Sequence, residues 1–447
     1  MTHRNLSIFN FKYQWMRNIV SIVIVALILL WCICRLNYIY FDEEEWPHVL
    51  LHDFYTSENI DNIFVGSSHV YNAVNPELLD KINGMNNFNM SSGNLTLSAS
   101  YYVIREAARD NQLQNVFLEL YYYPNTGERD VYSDETRKYN WRISSYMKPS
   151  INKYAFIFRT NDTTHYLESL FPFIRYRAHL FDSDYVNAVL EKKKSDGYKN
   201  YYIRGEIEDG GILEYRDKGY LYTTGVYTQE EWLSETLIDF SKEGLLSDGN
   251  QKYLKRIIEY CQKHNIGIKL FISPMYELHM MSTVDYDSYY QQIKKIADDY
   301  QVEFYDFNLC KAEYLDIPTY GYLNEGHLNA TGADIFTPVM WEVLSNDEID
   351  NKGLFCESFK ERITQEEPRT YGVFYSVEDG VRHCEIATNC PEEFQYRIVK
   401  TGEEDSINLL QDFSKNRTFD LLTEEHGTLT IVSKDTKDDI CTIKINY

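Results

Sequence analysis

Three short segments of the sequence carry residue types that could perform acyl-transfer chemistry. Residues 66–69 read Gly-Ser-Ser-His, residues 93–94 read Gly-Asn, and residues 324–329 read Asn-Glu-Gly-His-Leu-Asn. A serine hydroxyl can act as a nucleophile when a histidine serves as its general base. Backbone N–H groups can hold the oxyanion that forms when such a serine attacks an acyl carbonyl. Together the three segments offer a nucleophile, oxyanion donors and a base.

The pattern around these segments predicts a sheet that would bring them together. Apolar runs predict five strands, at residues 60–65, 87–90, 116–120, 268–272 and 302–306. Helical patterns lie between and after them, at residues 97–108, 251–264, 286–300 and 332–344. This alternation indicates an α/β domain with a doubly wound parallel sheet, in which the active site lies at the carboxyl ends of the strands. Two of the segments follow strands and the third precedes the last helix, so all three reach that end.

At these residues the sequence resembles the SGNH/GDSL hydrolase family. FVGSSH is similar to the family's first block, in which the position of Ser68 is the nucleophile. Gly93, followed by Asn94, resembles the second block, whose glycine N–H joins that of the serine in the oxyanion hole. HLNATGADIFT is similar to the last block, in which the position of His327 is the base. The resemblance implies a flavodoxin-like three-layer αβα domain over residues 58–347.

The sequence departs from the family pattern at two places. The acid that normally stands three residues before the histidine is replaced by Asn324, with Glu325 one place later. The third-block asparagine of the oxyanion hole has no clear match, because Glu119 and Tyr121 occupy that region. Asn324 can orient His327 but cannot stabilise an imidazolium by charge. Either Glu325 supplies the carboxylate, His327 acts nearly alone, or the site is catalytically weak.

Other residues near these segments have simpler interpretations. Gly-Ser-Ser after a strand is common in turns, and a histidine before a helix can serve as a cap. His69 is expected to pack behind the turn, since an adjacent side chain rarely reaches the hydroxyl that precedes it. Asp306 or Asp316 could supply the missing acid, although Asp306 is expected only to end its strand.

The N-terminal segment predicts a membrane anchor over residues 1–41. Residues 19–34 contain no charge, and aromatic residues extend the apolar run to Phe41. Lys12 and Arg17 precede the run and acidic residues 42–45 follow it, which predicts a cytoplasmic N-terminus and extracytoplasmic downstream domains. A cleaved signal peptide and a buried helix of a soluble domain are the alternatives. No small-x-small cleavage pattern follows the run, which favours an uncleaved single-pass anchor in the cell membrane.

The charge balance argues against nucleic-acid binding. The chain has 447 residues, with 44 Lys and Arg against 68 Asp and Glu, and a formal net charge of −24. The first 41 residues carry four basic side chains and no acidic one, so all of the acidity lies in the remainder. A surface of this charge repels phosphate backbones. Neutral sugars or cationic D-alanyl esters are easier partners for it than polyanions.

The rest of the chain divides by composition. Residues 42–57 are predicted to form an acidic stalk, residues 125–247 an insertion that covers one end of the sheet, and residues 348–368 a charged linker. Alternating short strands at residues 369–447 predict a small β-sandwich. In an extracellular setting a disulfide is permitted, and Cys384 with Cys390 or Cys441 is the most plausible pair.

The resemblance is closest to membrane-anchored, extracytoplasmic members linked to polysaccharide O-acylation or to D-alanyl transfer onto teichoic acids. It implies a serine acyl esterase or acyltransferase that acts on a cell-surface or exported glycan and requires no metal or organic cofactor. A membrane O-acyltransferase is a possible partner. The alternative is a catalytically weak or inactive SGNH fold that binds glycan or assists assembly beside such an enzyme. The aromatic and basic residues 171–177 could hold an acidic glycan, or dock the insertion on the sheet.

Overall fold

The computed structural model describes residues 6–207, 211–226, 233–235, 238–346, 351–402, 406–437 and 439–447. The helices, in chain order, are α1 Leu6–Tyr40, α2 Glu45–Thr56, α3 Ser68–Ala73, α4 Pro76–Asn83, α5 Leu97–Asp110, α6 Asp134–Ser144, α7 Ile151–Thr160, α8 Tyr166–Leu170, α9 Ser183–Lys194, α10 Asp196–Asn200, α11 Phe240–Glu243, α12 Asp248–Lys263, α13 Glu277–Met281, α14 Tyr286–Tyr300, α15 Ala330–Ser345, α16 Asn351–Leu354 and α17 Phe359–Gln365. The strands are β1 Asn62–Val65, β2 Asn87–Asn89, β3 Asn115–Glu119, β4 Arg204–Glu206, β5 Ile212–Arg216, β6 Tyr220–Thr223, β7 Leu233–Glu235, β8 Gly267–Ile272, β9 Phe304–Asp306, β10 Thr370–Glu378, β11 Val381–Thr388, β12 Gln395–Gly402, β13 Ile407–Ser414, β14 Thr418–Leu422, β15 Gly427–Lys434 and β16 Ile440–Asn446.

A five-stranded parallel sheet organises the first part of the chain, in the order β2-β1-β3-β8-β9. The five strands predicted from the apolar runs are confirmed, with ends that differ by one or two residues. The strand order reverses between β1 and β3, and in doubly wound sheets a crevice opens at the carboxyl ends beside such a switch point. The residues that follow β1 and β3 therefore meet there.

Helices cover both faces of this sheet because successive strand residues point to opposite sides. Ile63 and Val65 of β1 face a core shared with α2, α5, α12 and α14. Phe64 of β1 faces a second core shared with α3, α4 and α15, where its ring stacks on Phe117 of β3 at a centroid distance of 4.7 Å. The short strands read as continuous apolar runs because both of their faces are buried.

The N-terminal helix α1 is long and apolar enough to cross a membrane over Tyr13–Tyr40, 28 residues. The acidic stalk predicted for residues 42–57 is wrong, because most of this stretch is the helix α2. Leu50, Leu51 and Phe54 of α2 are buried in the first core, so only a short connection separates α1 from the α/β domain. Acidic residues at the start of the segment concealed this apolar helix face.

The insertion packs against both helix α1 and the sheet. Its sheet β4-β5-β6 reaches β2, where a side chain at Gly219 would clash with the carbonyl oxygen of Asn89. Strands β4 and β5 pair in antiparallel orientation, and residues 208–210 between them lie outside the described part of the chain. Residues 171–177, suggested by the sequence to hold an acidic glycan or to dock the insertion on the sheet, lie largely in the 3-10 helix Pro172–His179, which contacts α1.

The C-terminal region consists of two four-stranded sheets, β14-β11-β10-β7 and β13-β12-β15-β16, which share one core. The alternating strands predicted for residues 369–447 are confirmed, but the first sheet also takes β7 from the insertion, which pairs in parallel with β10. The predicted linker at residues 348–368 is wrong in part, because Arg362 is buried and its Nε donates to the carbonyl of Cys310 at 2.9 Å. Cys384, Cys390 and Cys441 are all free thiols, contrary to the expected disulfide.

Candidate active site

Ser68 lies at the switch point, where β1 turns sharply into α3. The side chain of Ser67 caps this helix and accepts from the N–H of His69, which leaves Ser68 as the first helical residue. A Cβ at Gly66 would approach within 2.6 Å of Glu119 Cβ and of a methyl group of Val70. Only glycine therefore lets the turn lie this close to β3. The tight turn leaves Ser68 partly exposed while its two neighbours are buried.

His327 lies in a compact turn that precedes α15. The N–H of Leu323 donates to the carbonyl of His327 at 2.8 Å, which closes the turn, and an isolated bridge joins Tyr322 to Leu328. Asn329 then caps α15 by accepting from the N–H groups of Thr331 and Gly332. The cap and the closed turn fix the position of the imidazole relative to the end of the sheet.

The structure brings Ser68, His327 and Asn324 together as a hydrogen-bonded relay. Ser68 Oγ lies 2.7 Å from His327 Nε2, and His327 Nδ1 lies 2.9 Å from Asn324 Oδ1. Both distances are within the range of good hydrogen bonds. The relay joins residues that are 259 positions apart in the chain. This is the arrangement of a nucleophile, a base and a group that orients the base.

The backbone decides which atom of Asn324 faces the imidazole. The N–H groups of Gly326 and His327 both donate to Asn324 Oδ1 at 3.0 Å, so this position must be the acceptor oxygen rather than the amide nitrogen. Because Oδ1 can only accept, His327 carries its proton on Nδ1 and leaves Nε2 free to accept from the serine hydroxyl. Asn324 therefore selects the tautomer that a general base requires.

Glu325 does not reach this position. Its carbonyl accepts from the N–H of Tyr276 at 3.0 Å, and its carboxylate lies near Tyr121 and Tyr122. Burial, and to a lesser degree the charge of Glu325, raise the pKa of Tyr122 to about 12. Of the two candidates for the orienting group, the structure selects Asn324.

Burial keeps the base neutral. Removal from water disfavours the imidazolium, and it lowers the pKa of His327 to about 4. Burial also lowers the pKa of His69 well below its usual range, with His327 and His279 adding to the effect. His279, whose Nε2 lies 2.9 Å from the hydroxyl of Tyr122, has its pKa lowered to about 4, first by burial and then by His327. At neutral pH all three rings are uncharged.

A buried carboxyl supports the serine turn from below. Glu119, the last residue of β3, accepts from the N–H and the hydroxyl of Ser67, both at 3.2 Å. Burial raises the pKa of Glu119 to about 7, against the opposing effect of these hydrogen bonds. The sequence identified Glu119 only as a residue in the place of the family's oxyanion-hole asparagine. In the structure it holds the serine turn in position. Asp306, one of two further candidate acids, ends β9 and accepts from the hydroxyl of Tyr286 at 2.8 Å, while the second, Asp316, lines a pocket with Tyr276 and Arg369.

Gly93 and Asn94 lie in the turn that follows β2. The N–H of Ser92 donates to the carbonyl of Gly66 at 3.2 Å, which ties this turn to the one that carries Ser68. Asn94 adopts a left-handed conformation with φ of +52°, and Arg142 Nη1 donates to the carbonyl of Gly93 at 3.3 Å. Gly93 is therefore on the Ser68 side of the site, as the oxyanion interpretation requires.

Tyr71 is a site residue that the sequence reasoning missed. Its hydroxyl faces Ser68, and burial raises its pKa to about 12 while the interaction with Ser68 opposes the rise. The same hydroxyl lies 3.8 Å from the position that a Cβ on Gly93 would take. The signal was present in the sequence, because residues three apart share a helix face and Tyr71 stands three positions after Ser68.

Comparison with known proteins adds nothing to this geometry. No protein-family model matches the chain, and no curated protein matches its sequence.

Proposed function

We propose that the chain is a membrane-anchored serine acyl esterase or O-acyltransferase of the SGNH type, working on an extracytoplasmic glycan. The observation that carries the proposal is the relay from Ser68 Oγ through His327 to Asn324, with distances of 2.7 and 2.9 Å, at the switch point of a parallel sheet. Each resemblance block contributes a residue to this end of the sheet. The strand order β2-β1-β3-β8-β9 is also that of flavodoxin-like domains.

The relay supports a two-step acyl transfer. Ser68 Oγ forms a bond to the acyl carbonyl carbon while its proton passes to His327 Nε2. The tetrahedral intermediate then expels the alcohol of the ester, which takes that proton from Nε2. In the second step, water or a sugar hydroxyl gives its proton to Nε2 and attacks the acyl carbon, and the bond from that carbon to Ser68 Oγ then breaks as Oγ takes the proton back from Nε2. Water releases a carboxylic acid, whereas a sugar hydroxyl forms a new ester.

Donors on one side of Ser68 are suited to the developing oxyanion. Ser68 is the first residue of α3, and the N–H groups of a first helical turn have no partner within the helix. The Gly93 turn and the hydroxyl of Tyr71 lie on this side. Preorganised donors of this kind are commonly worth about two to three decades in rate each.

Aromatic and cationic side chains next to the donors suit a glycan ester. Trp46 packs against Tyr71 with ring centroids 4.3 Å apart, and its Nε1 donates to the carbonyl of Ser91 at 3.0 Å. Arg142, paired with Glu44 at 3.1 Å, borders the same area. Aromatic faces can stack on sugar rings, and the arginine can donate to hydroxyl or carbonyl oxygens. A membrane O-acyltransferase that supplies the acyl group fits the transferase form of the proposal.

One observation favours a second candidate, an SGNH fold that binds glycan without turnover. His327 Nδ1 faces an amide oxygen, which cannot stabilise an imidazolium as a carboxylate does. The fixed orientation of Asn324 opposes this alternative, because it keeps the imidazole in the tautomer that accepts a proton from serine.

A fluorophosphonate probe applied to the full chain in detergent tests the enzyme proposal. We expect covalent labelling of the wild type, loss of labelling in Ser68→Ala, and strongly slowed labelling in His327→Gln. Ser376→Ala is the control, since it removes an exposed hydroxyl on β10, outside the residues that build the site. Absence of wild-type labelling, or labelling that survives Ser68→Ala, would exclude the enzyme and leave the binding role.

A further inference from the structure

One surface of the insertion follows the anchor helix toward the membrane. We call residues 171–181 the anchor-contacting segment. Its 3-10 helix, Pro172–His179, packs against α1, and α9 packs beside it. On α1, residues 13–31 are exposed all round, whereas Ile33 and Asn37 and their neighbours are partly covered. The insertion therefore begins to cover α1 about two turns before the helix ends.

Hydrogen bonds fix the segment to the end of α1. The N–H of Phe173 donates to Asn37 Oδ1 at 3.0 Å, and the hydroxyl of Tyr40 donates to the carbonyl of Leu180 at 2.8 Å. From α9, Lys193 Nζ donates to the carbonyls of Tyr38 and Phe41 at 2.9 and 2.8 Å. These carbonyls belong to the last turn and exit of the helix, where a cation is favoured.

The helix geometry sets the level of the segment relative to a bilayer. A hydrocarbon core needs about 20 helical residues, so a core that starts at Ile19 ends near Tyr38, with Arg35 close enough to its end for the guanidinium to reach the headgroups. Ile33 lies about 10 Å below Tyr40 along the axis. Helical side chains tilt toward the N-terminus, so those of Asn37 and Tyr40 meet the segment on the membrane side of their own Cα atoms. The segment therefore lies at the boundary between acyl chains and headgroups.

The exposed side chains of the segment fit that level. Phe181 is exposed to the full extent of its side chain, at 101%, and the adjacent Leu180 is exposed at 37%. Leu167, on the helix α8 that contacts the 3-10 helix, is exposed at 60%. Trp31 and Tyr38 on the exposed face of α1 supply the aromatic residues typical of a membrane interface. An apolar tip at this height is placed to enter lipid.

We propose that the anchor-contacting segment is a second membrane contact, in which Phe181 enters the headgroup–acyl boundary of the leaflet on the enzyme side. With α1 alone, the catalytic domain could rotate about a single helix axis. A second contact beside the helix fixes its tilt, and with it the height and direction of the site at Ser68. The proposal depends on α1 crossing a membrane and not on the chemistry of Ser68.

Photo-crosslinking in lipid nanodiscs tests the proposal with the full chain. p-Benzoylphenylalanine is placed singly at Phe181, at Ile24 in the apolar run of α1, and at Ile407, which is 77% exposed on β13. We expect phospholipid adducts, detected by mass, at positions 24 and 181 and not at 407. Adducts at 24 without adducts at 181, or adducts to protein alone at 181, would overturn the second contact. No adduct at 24 would overturn it as well, by removing the membrane on which it depends.

A pair of substitutions provides a second measurement. With the photoreactive residue at Leu180, Phe181→Asp is expected to reduce the lipid adduct several-fold, because a carboxylate is expelled from the interface, whereas Phe181→Trp should retain it. Equal adduct yields in the two variants would contradict insertion of this side chain. Fluorophosphonate labelling of Ser68 in the same samples separates this outcome from that of the proposed enzymatic function.

Discussion

Two histidines at the end of the sheet lie side by side and are both buried, but they differ in their hydrogen-bond partners. The ring centroids of His327 and His69 are 4.4 Å apart, and burial lowers the pKa of both. His327 uses both ring nitrogens, toward Ser68 and Asn324. His69 stacks on Tyr121 with centroids 3.7 Å apart, and its buried Nε2 has no hydrogen-bond partner. The two rings are thus distinguished by their hydrogen-bond partners, since a depressed pKa is common to both.

The difference gives the two rings separate tasks. His69 forms an uncharged wall behind the site, and this wall contributes to the burial that keeps His327 neutral. The charge that His327 would carry when protonated adds to the burial that lowers the pKa of His69. Of the two rings, His327 is the one that can accept a proton from Ser68 through its Nε2.

The largest effect is expected when a substitution breaks the relay at Ser68 or His327. Ser68→Ala and His327→Gln should each lower kcat/KM for a small activated ester by about three decades or more, because the nucleophile or its base is lost. His69→Gln, matched in chemistry to the second variant, should lower it less than about tenfold. Initial rates with p-nitrophenyl acetate measure all three. Equal losses in His327→Gln and His69→Gln would erase the distinction between the rings.

A smaller effect is expected at the orienting residue. Asn324→Ala should lower kcat/KM by about two decades, because His327 Nδ1 loses the acceptor that fixes its tautomer. Asn324→Asp should retain activity within about tenfold, since a carboxylate accepts the same three hydrogen bonds. Steady-state kinetics on both variants decide the point. Wild-type rates in Asn324→Ala would show that the imidazole needs no partner at Nδ1.

The pH profile separates the neutral base from an ordinary histidine. Because the pKa of His327 is lowered to about 4, kcat/KM should stay level as pH falls through 6 and decline only near pH 4. Asn324→Asp should move this acid limb to higher pH, since a nearby negative charge favours the imidazolium. If kcat/KM of the wild type declined with an apparent pKa near 6.5, the result would contradict the lowering of the His327 pKa by burial.

The smallest effect concerns the carboxyl below the serine turn. The folded-state pKa of Glu119, about 7, exceeds its unfolded value, so its contribution to stability is complete below about pH 4.5 and is lost as pH rises through 7. Relative to Glu119→Gln, the wild type should lose up to about 3 kcal/mol of unfolding free energy over this range. Urea unfolding of both proteins at pH 5 and pH 8 measures the difference. The buried histidines have the opposite pH dependence, but they are common to both proteins and cancel.

The sequence predicted the sheet and the relay because their signals are local. Buried parallel strands read as apolar runs, and the residues at their ends follow directly. The orientation of Asn324 was beyond prediction, since the N–H groups of Gly326 and His327 determine it through the shape of one turn. Helix α2 was missed although Trp46, Leu50 and Phe54 recur at helical spacing, because the neighbouring charges suggested a solvated stalk.

The pairing of β7 with β10 makes the C-terminal sheets dependent on a segment made much earlier. During synthesis, the short strand Leu233–Glu235 is made well before Thr370–Glu378. It therefore lacks this strand partner until the later strand is complete. A truncation after Pro368 would therefore strip this strand of its partner and leave unpaired backbone donors and acceptors, a common starting point for aggregation. The C-terminal region thus pairs with the insertion only after Thr370–Glu378 has been made, and the insertion and the last sheets should be lost or kept together.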